Sequence, residues 1–139
     1  MKIQKDILDQ IVSFETAKLA KQKAFIFRGR TNDWMQTTLP YHENGKRNID
    51  FTYEGEDYPA PTQSLLQKWL RQKHKIIVIV DYLNNNNNQP YFYQIFYNKK
   101  KTFFDEKRER DPDHNDYFNK YEDALEIGLW NALLLIKNK

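Results

Sequence analysis

Two apolar segments joined by a polar run constrain the fold of this chain most strongly. Residues 76–80 are five consecutive β-branched apolar residues, and Tyr91–Tyr97 is a second, aromatic segment of strand character. The run of five Asn at 84–88 between them predicts a solvated loop, because Asn favours turn conformations. A short loop predicts that the two strands pair antiparallel. Since 76–80 is apolar on both faces, we expect a strand inside a sheet or covered on both sides.

Helical periodicity marks four further segments, which are residues 2–12, 14–23, 63–73 and 121–137. Ser13 is placed to cap the second of these helices, and Thr62 to cap the third. Pro59 and Pro61 disfavour helix before Thr62, which strengthens that start signal. The last segment is the longest and the most apolar of the four.

The shorter strand signals lie in the first half of the chain. Residues 24–28, in which Phe25 and Phe27 alternate with Ile26, predict a short strand, and residues 49–53 alternate apolar with polar side chains. Asn44-Gly45 predicts a type I′ hairpin turn. Pairing about that turn places Tyr41 opposite Asn48, a register without one clean apolar face. The elements together predict an α+β fold. Its sheet is mainly antiparallel, its helices pack on one face, and its order is roughly α-β-ββ-α-β-β-α.

Composition limits the classes of protein that this chain can belong to. The 139 residues fit one domain over 1–139, and the absence of cysteine excludes disulfides and thiolate chemistry. The net charge of +3 is too small to imply a polyanionic partner by itself. The longest aliphatic run is too short to span a membrane, and the N-terminus lacks the apolar core of a signal peptide. We therefore expect a cytoplasmic protein with no membrane partner.

Three motifs recur together in a known group of proteins. They are "VSFETAKLAKQKAF" at 12–25, "APTQSLLQKWLRQKH" at 60–74 and "YFNKYEDALEIGLWNALLLI" at 117–136. In this order they resemble small uncharacterised proteins encoded by phages and prophages of Bacteroides-type gut bacteria. The match covers about a third of the chain, and the Asn loop and the basic segment 99–110 depart from the pattern. The resemblance implies an origin in a mobile element and an intracellular setting, and it brings no catalytic residues.

A basic row on the third predicted helix is the first candidate site. Lys68, Arg71 and Lys75 lie at positions i, i+3 and i+7, on the side opposite the apolar face. A phosphate backbone binds such a row with release of counterions. The favoured interpretation is a solvated helix face, because cations near a helix C-terminus also interact favourably with the helix dipole. Nucleic-acid binding is the alternative.

A second basic cluster follows the aromatic strand. Lys99, Lys100 and Lys101 precede three more cations, Lys107, Arg108 and Arg110, in a segment that also contains aromatic side chains. Cations beside aromatics are typical of surfaces that bind single-stranded nucleic acid. The acids that follow this segment favour an ordinary charged loop instead.

Chemistry-bearing residues are few. Asp111, Asp113, His114 and Asp116 include oxygen and imidazole groups, but their spacing does not fit an EF-hand, so we predict no metal site. The chain has two serines and no Gly-rich phosphate loop, and neither serine lies in a nucleophile elbow. We therefore predict a non-enzymatic protein without a cofactor.

The final helix carries apolar residues on two sides. One wide stripe is expected to face the core and comprises Tyr121, Ala124, Leu125, Gly128, Leu129, Ala132, Leu133 and Ile136. On the other side Ile127, Trp130 and Leu134 recur at i, i+3 and i+7. Either the predicted helix over 2–12 covers this second stripe, or the stripe is an interface. The leading hypothesis is a protein–protein interaction module that binds a protein partner or associates with itself.

Overall fold

The computed structural model describes residues 10–25, 41–46, 55–84, 88–98, 100–101 and 117–137. Its elements, in chain order, are α1 (Phe14–Gln22), β1 (Tyr41–His42), β2 (Asp57–Tyr58), α2 (Gln63–His74), β3 (Ile76–Tyr82), β4 (Tyr91–Tyr97), β5 (Lys100–Lys101) and α3 (Tyr121–Leu134). Both sheets in these ranges are antiparallel, with orders β1-β2 and β3-β4-β5. The predicted α+β class is confirmed, and the element order agrees roughly with the prediction.

The chain divides into two compact units, Met1–Leu66 and Gln67–Lys139, and the boundary falls within α2. The expectation of one domain over 1–139 stays a prediction. No helix in the described ranges is long and apolar enough to cross a membrane.

In the first unit, α1 begins where the sequence predicts. The Ser13 hydroxyl accepts a hydrogen bond from the Thr16 amide at 3.2 Å and thereby caps the helix. The predicted helix over 2–12 is wrong at its end, because Ile11 is extended and bridges antiparallel to Thr62. Residues 2–9 lie outside the described ranges. The predicted strand over 24–28 is wrong at its start: Ala24 has a φ of +74° and belongs to the turn that ends α1.

The Asn44-Gly45 turn is present, but its type differs from the prediction. The Gly45 amide donates to the His42 carbonyl at 2.9 Å, and Gly45 has a φ of +88°. Asn44 is not left-handed, whereas a type I′ turn requires positive φ at both central residues. The turn is therefore a type I turn followed by a left-handed glycine, the usual three-residue hairpin loop.

Strand β1 pairs antiparallel with β2, with Tyr41 opposite Tyr58. Asn48, which the prediction placed opposite Tyr41, lies outside the described residues. The Phe14 ring of α1 meets both tyrosines edge-on, with ring centroids 5.6 and 5.5 Å away, and this contact favours the observed register. The strand predicted over 49–53 lies outside the described residues.

In the second unit, β3 and β4 pair over their full length, from Ile76 opposite Tyr97 to Tyr82 opposite Tyr91. This confirms the predicted antiparallel pair. The sequence did not predict β5, in which Lys100 pairs with Tyr97. That short strand continues from a tight turn at Asn98 and adds an outer strand beside β4.

The position of β3 corrects a second expectation. In the described sheet β3 is an edge strand, and the Val78 carbonyl on that edge accepts a hydrogen bond from the Gln67 side chain of α2 at 2.7 Å. Ile76 and Val78 are buried, while Ile77 and Ile79 are each 37% exposed. The strand is therefore covered on one face, and its uniform apolar composition hides this alternation.

Helix α3 packs closely on β3 and β4. A side chain carbon at Gly128 would lie 2.9 Å from Val78 Cγ1 and 3.0 Å from the Tyr93 ring, so glycine is what lets the helix come this near. The buried residues of α3 are Ala124, Leu125, Gly128, Leu129, Asn131, Ala132 and Leu133. The predicted core stripe is confirmed at Ile136 as well, and it is wrong at Tyr121, which is 42% exposed.

Gly128→Ala is expected to destabilise the protein by up to about 2 kcal/mol, because overpacking costs about 1–3 kcal/mol and the gain in helix propensity offsets about 1 kcal/mol of it. Urea unfolding followed by far-UV circular dichroism measures the change. Gln72→Ala on the exposed side of α2 is the control and should leave stability nearly unchanged. A stabilised Gly128→Ala variant would contradict the close packing.

Candidate functional site

The outer side of α3 carries an exposed apolar stripe, formed by Ile127, Trp130 and Leu134. Their exposed fractions are 39%, 37% and 42%, although the opposite side of the same helix is buried. At 100° per residue the three side chains fall within about 60° of one another around the helix. The stripe is thus a continuous apolar surface facing away from the sheet.

Charged residues stand at both ends of the apolar stripe. Asp123 lies one helical turn before Ile127, and Lys137 lies three residues after Leu134; both are exposed. The backbone continues turning beyond α3, since the amides of Leu135 and Ile136 donate to carbonyls three residues earlier. Along the outer side of α3, an acidic residue is therefore followed by three apolar residues and then by a basic residue, with Trp130 midway between the two charges.

A buried polar contact fixes the rotation of α3 on the sheet. The Asn131 side-chain amide donates to the Tyr93 hydroxyl at 2.7 Å and to the Ile127 carbonyl at 3.1 Å. Asn131 is buried, so turning the helix would break a desolvated hydrogen bond as well as the packing of its apolar residues. This contact holds the apolar stripe on the outside.

A cationic cleft lies between the C-terminal end of α2 and the turn at Asn98 that follows β4. Its volume is about 360 Å³, and it is lined by Arg71, Lys75, Ile77 and Asn98. Two of the three cations predicted on the α2 row thus meet in one concavity. The third, Lys68, is exposed on α2 about one turn before Arg71.

Left-handed backbone closes the cationic cleft. Lys75 has a φ of +59° and Asn98 a φ of +54°, and the Asn98 amide donates to the Lys75 carbonyl at 3.2 Å. Asn tolerates this conformation, whereas for Lys it costs on the order of 1 kcal/mol. At Lys75 the conformation ends α2 and starts β3 within one residue, which brings its side chain beside that of Arg71.

The second predicted basic cluster is brought to the same end of the sheet by backbone register. Tyr97 pairs with Ile76 on one side and with Lys100 on the other, and Lys101 pairs with Phe96. Lys99 lies outside the described residues. The backbone of Lys100 is therefore two strands away from the start of β3.

Sequence reasoning missed two residues of the cleft, Ile77 and Asn98. The signal for Asn98 was present, because Asn before a lysine run at the end of a strand is typical of a left-handed turn. For Ile77 no signal was available, since a strand of β-branched residues does not show which face is exposed.

The remaining candidates do not assemble into a catalytic or metal site in the described ranges. Ser13 caps α1, and Ser64 lies in the first turn of α2. No group of His, Asp and Glu with metal-binding geometry occurs among the described residues, and residues 111–116 lie outside them. The expectations of no metal, no cofactor and no enzymatic activity stay predictions.

Comparison with protein families, with curated proteins and with solved structures finds no match for this chain. The resemblance to phage and prophage proteins therefore stays a prediction as well. The apolar stripe and the cationic cleft are therefore the features of the molecule that bear on its function.

His74, at the end of α2, gives a pH-dependent prediction. Burial lowers the pKa of its imidazole below the ordinary value of 6.5, and the charge of Lys73 lowers it further. Because the unfolded chain binds this proton more readily, the contribution of His74 to stability is fully present above pH 6.5 and is lost as the pH falls below it. NMR titration should show a pKa below 6.5, and His74→Gln should reduce the loss of stability in acid.

Titration of His74 at or above the ordinary value would contradict its desolvation. Its ring lies 4.7 Å from the Trp69 ring, so the same titration should also shift the Trp69 indole resonance. Comparing the slopes of stability against pH for the wild type and His74→Gln isolates His74 from the other two histidines.

Proposed function

We propose that this protein is a protein–protein interaction module that associates with a second copy of itself through the apolar stripe on α3. The observation that carries the proposal is the exposure of Ile127, Trp130 and Leu134 on a helix whose other side is buried in its own core. A helix that covers one face of a sheet is expected to show polar residues to water. An exposed contiguous apolar surface is typical of an interface.

The residue types, and the free energy gained by burying them, suit an interface of moderate affinity. Tryptophan is enriched among the residues that dominate binding energy. Burying the remaining exposed part of the three side chains is worth about 1 kcal/mol each, hence about 6 kcal/mol for two copies. Because association itself costs at least about 4 kcal/mol, the surrounding surface must contribute too. We expect a dissociation constant in the micromolar range rather than the nanomolar range.

Charge order favours a second copy as the occupant. In a two-fold interface, if residue i of one copy faces residue j of the other, then residue j of the first copy also faces residue i of the second. If two α3 helices cross antiparallel at Trp130, Asp123 of each copy faces Lys137 of the other, and Ile127 faces Leu134. The two helix dipoles then oppose one another as well. The surface is thus complementary to its own copy in both charge and polarity.

The proposal keeps three expectations from the sequence. They are an origin in a phage or prophage, a non-enzymatic role, and a cytoplasmic location in the bacterial host cell. The three shared motifs support the first, and the lack of a catalytic constellation in the sequence is the basis for the second. Nucleic-acid binding by the basic face of α2 is the alternative function, and the cationic cleft is the observation that favours it.

The test is sedimentation of the purified chain across concentrations from about 1 µM to about 1 mM, the range that spans the expected affinity. The wild type should convert from monomer to dimer, and Trp130→Glu should stay monomeric. Leu83→Glu is the matched control, because Leu83 is equally exposed at 38% but lies outside α3. A wild type that stays monomeric throughout, or equal disruption by Leu83→Glu, would rule out the stripe as the interface.

A charge swap tests the antiparallel geometry separately. Asp123→Lys and Lys137→Asp should each weaken the dimer severalfold, because each places like charges opposite one another twice. The double variant restores opposite charges across the two-fold axis and should recover most of the wild-type affinity. If the double variant is weaker than either single variant, the helices do not cross in this way.

A further inference from the structure

We propose that the cationic cleft binds phosphate groups, and that their source is the phosphodiester backbone of a nucleic acid. The site is independent of the apolar stripe on α3. Arg71, Lys75, Ile77 and Asn98 line the cleft, and the groups proposed to bind the anion are the Arg71 guanidinium and the Lys75 ammonium.

The side chains suit a phosphate group. Arginine presents a planar fork of donors that matches two phosphate oxygens, and lysine adds a point charge. The cleft volume of about 360 Å³ lies at the lower end of the range for small-molecule sites, so a phosphate and part of a sugar fit while a large ligand does not.

The two cations are not neutralised within the described ranges. Neither Arg71 nor Lys75 takes part in an ion pair there. The described acids of the same unit are Asp81, Glu122, Asp123 and Glu126, and none of them lines the cleft. A phosphate entering the cleft would therefore meet two charges without displacing a carboxylate of these residues.

The helix dipole does not cancel this charge. The C-terminal end of α2 carries about half a negative charge from its aligned peptide groups. That half charge explains why cations are favourable there, and it also opposes an anion. Two full positive charges outweigh it about fourfold, so the cleft remains a site for anions.

The cationic row extends past the cleft, which favours a polymer over a free phosphate. From Lys68 and Arg71 on α2 to Lys75, the residue that follows the helix, the row spans about 10 Å at about 1.5 Å per residue. Charges along one nucleic-acid strand repeat about every 3.4 Å of helix axis, so the row matches about three successive phosphates.

The first experiment measures binding of a fluorescent single-stranded oligonucleotide and of its duplex by anisotropy. With about three phosphates neutralised, single-strand affinity should fall about 20-fold between about 50 and about 200 mM salt. Measurement on both the wild type and Trp130→Glu separates binding by the cleft from any effect of self-association. No binding of either oligonucleotide at the lower salt concentration would overturn the proposal.

The second experiment locates the site. Arg71→Glu and Lys75→Glu should each weaken oligonucleotide binding about tenfold or more and flatten its salt dependence, and Arg71→Gln should weaken it less. Lys73→Glu is the matched control, because Lys73 is exposed on the same helix but about 200° away from Arg71. Equal weakening by Lys73→Glu would show that general charge, not the cleft, is responsible, and would overturn the proposal. Circular dichroism confirms that each variant is folded.

A third arm uses inorganic phosphate followed by NMR. Shifts of the Asn98 amide and the Arg71 side chain that compete with the oligonucleotide are the expected result. Phosphate shifts at these residues without oligonucleotide binding would assign the cleft to small phosphorylated ligands and overturn the polymer as the source.

Discussion

The close approach of α3 to the sheet is the contact on which the rest of the second unit depends. Gly128 lies where any larger residue would collide with Val78 and Tyr93, and the Asn131 amide is bonded to the Tyr93 hydroxyl at 2.7 Å. The first contact sets the distance of the helix from the sheet, and the second sets its rotation. Together they decide which apolar residues of α3 are buried and which stay outside, so the apolar stripe follows from the core.

The cationic cleft depends on a different constraint, the change from helix to strand at Lys75. One left-handed residue turns the chain from α2 into β3, and the Asn98 amide supports it through the Lys75 carbonyl. This hydrogen bond and the pairing of β3 with β4 offset the cost of a left-handed lysine. Strain of this kind persists where surrounding structure holds it, and here it brings cations of α2 beside the end of the sheet.

Periodicity and capping predicted the elements that bury one clear face, and contacts between residues distant in the sequence decided the rest. The core stripe of α3 and the Ser13 cap were predictable because helical spacing and capping are local signals. The exposure of Ile77 was not predictable, since a uniform run of β-branched residues shows no alternation between the two faces of a strand. The pairing of β1 with β2 was not predictable either, because the Phe14 ring that favours it is distant in sequence. For the candidate sites, the residue types were visible, but the concavity that joins Arg71 to Asn98 arises from backbone geometry.

The two proposed surfaces would reinforce one another if both operate. A two-fold dimer presents two cationic clefts, and a strand bound at the first holds the second at a high effective concentration. The number of neutralised phosphates then doubles, and with it the steepness of the salt dependence. A chain whose net charge of +3 is too small to attract a polyanion can in this way concentrate charge where it is needed. If both proposals hold, apolar association and phosphate binding are coupled by symmetry, with no contact required between the two surfaces.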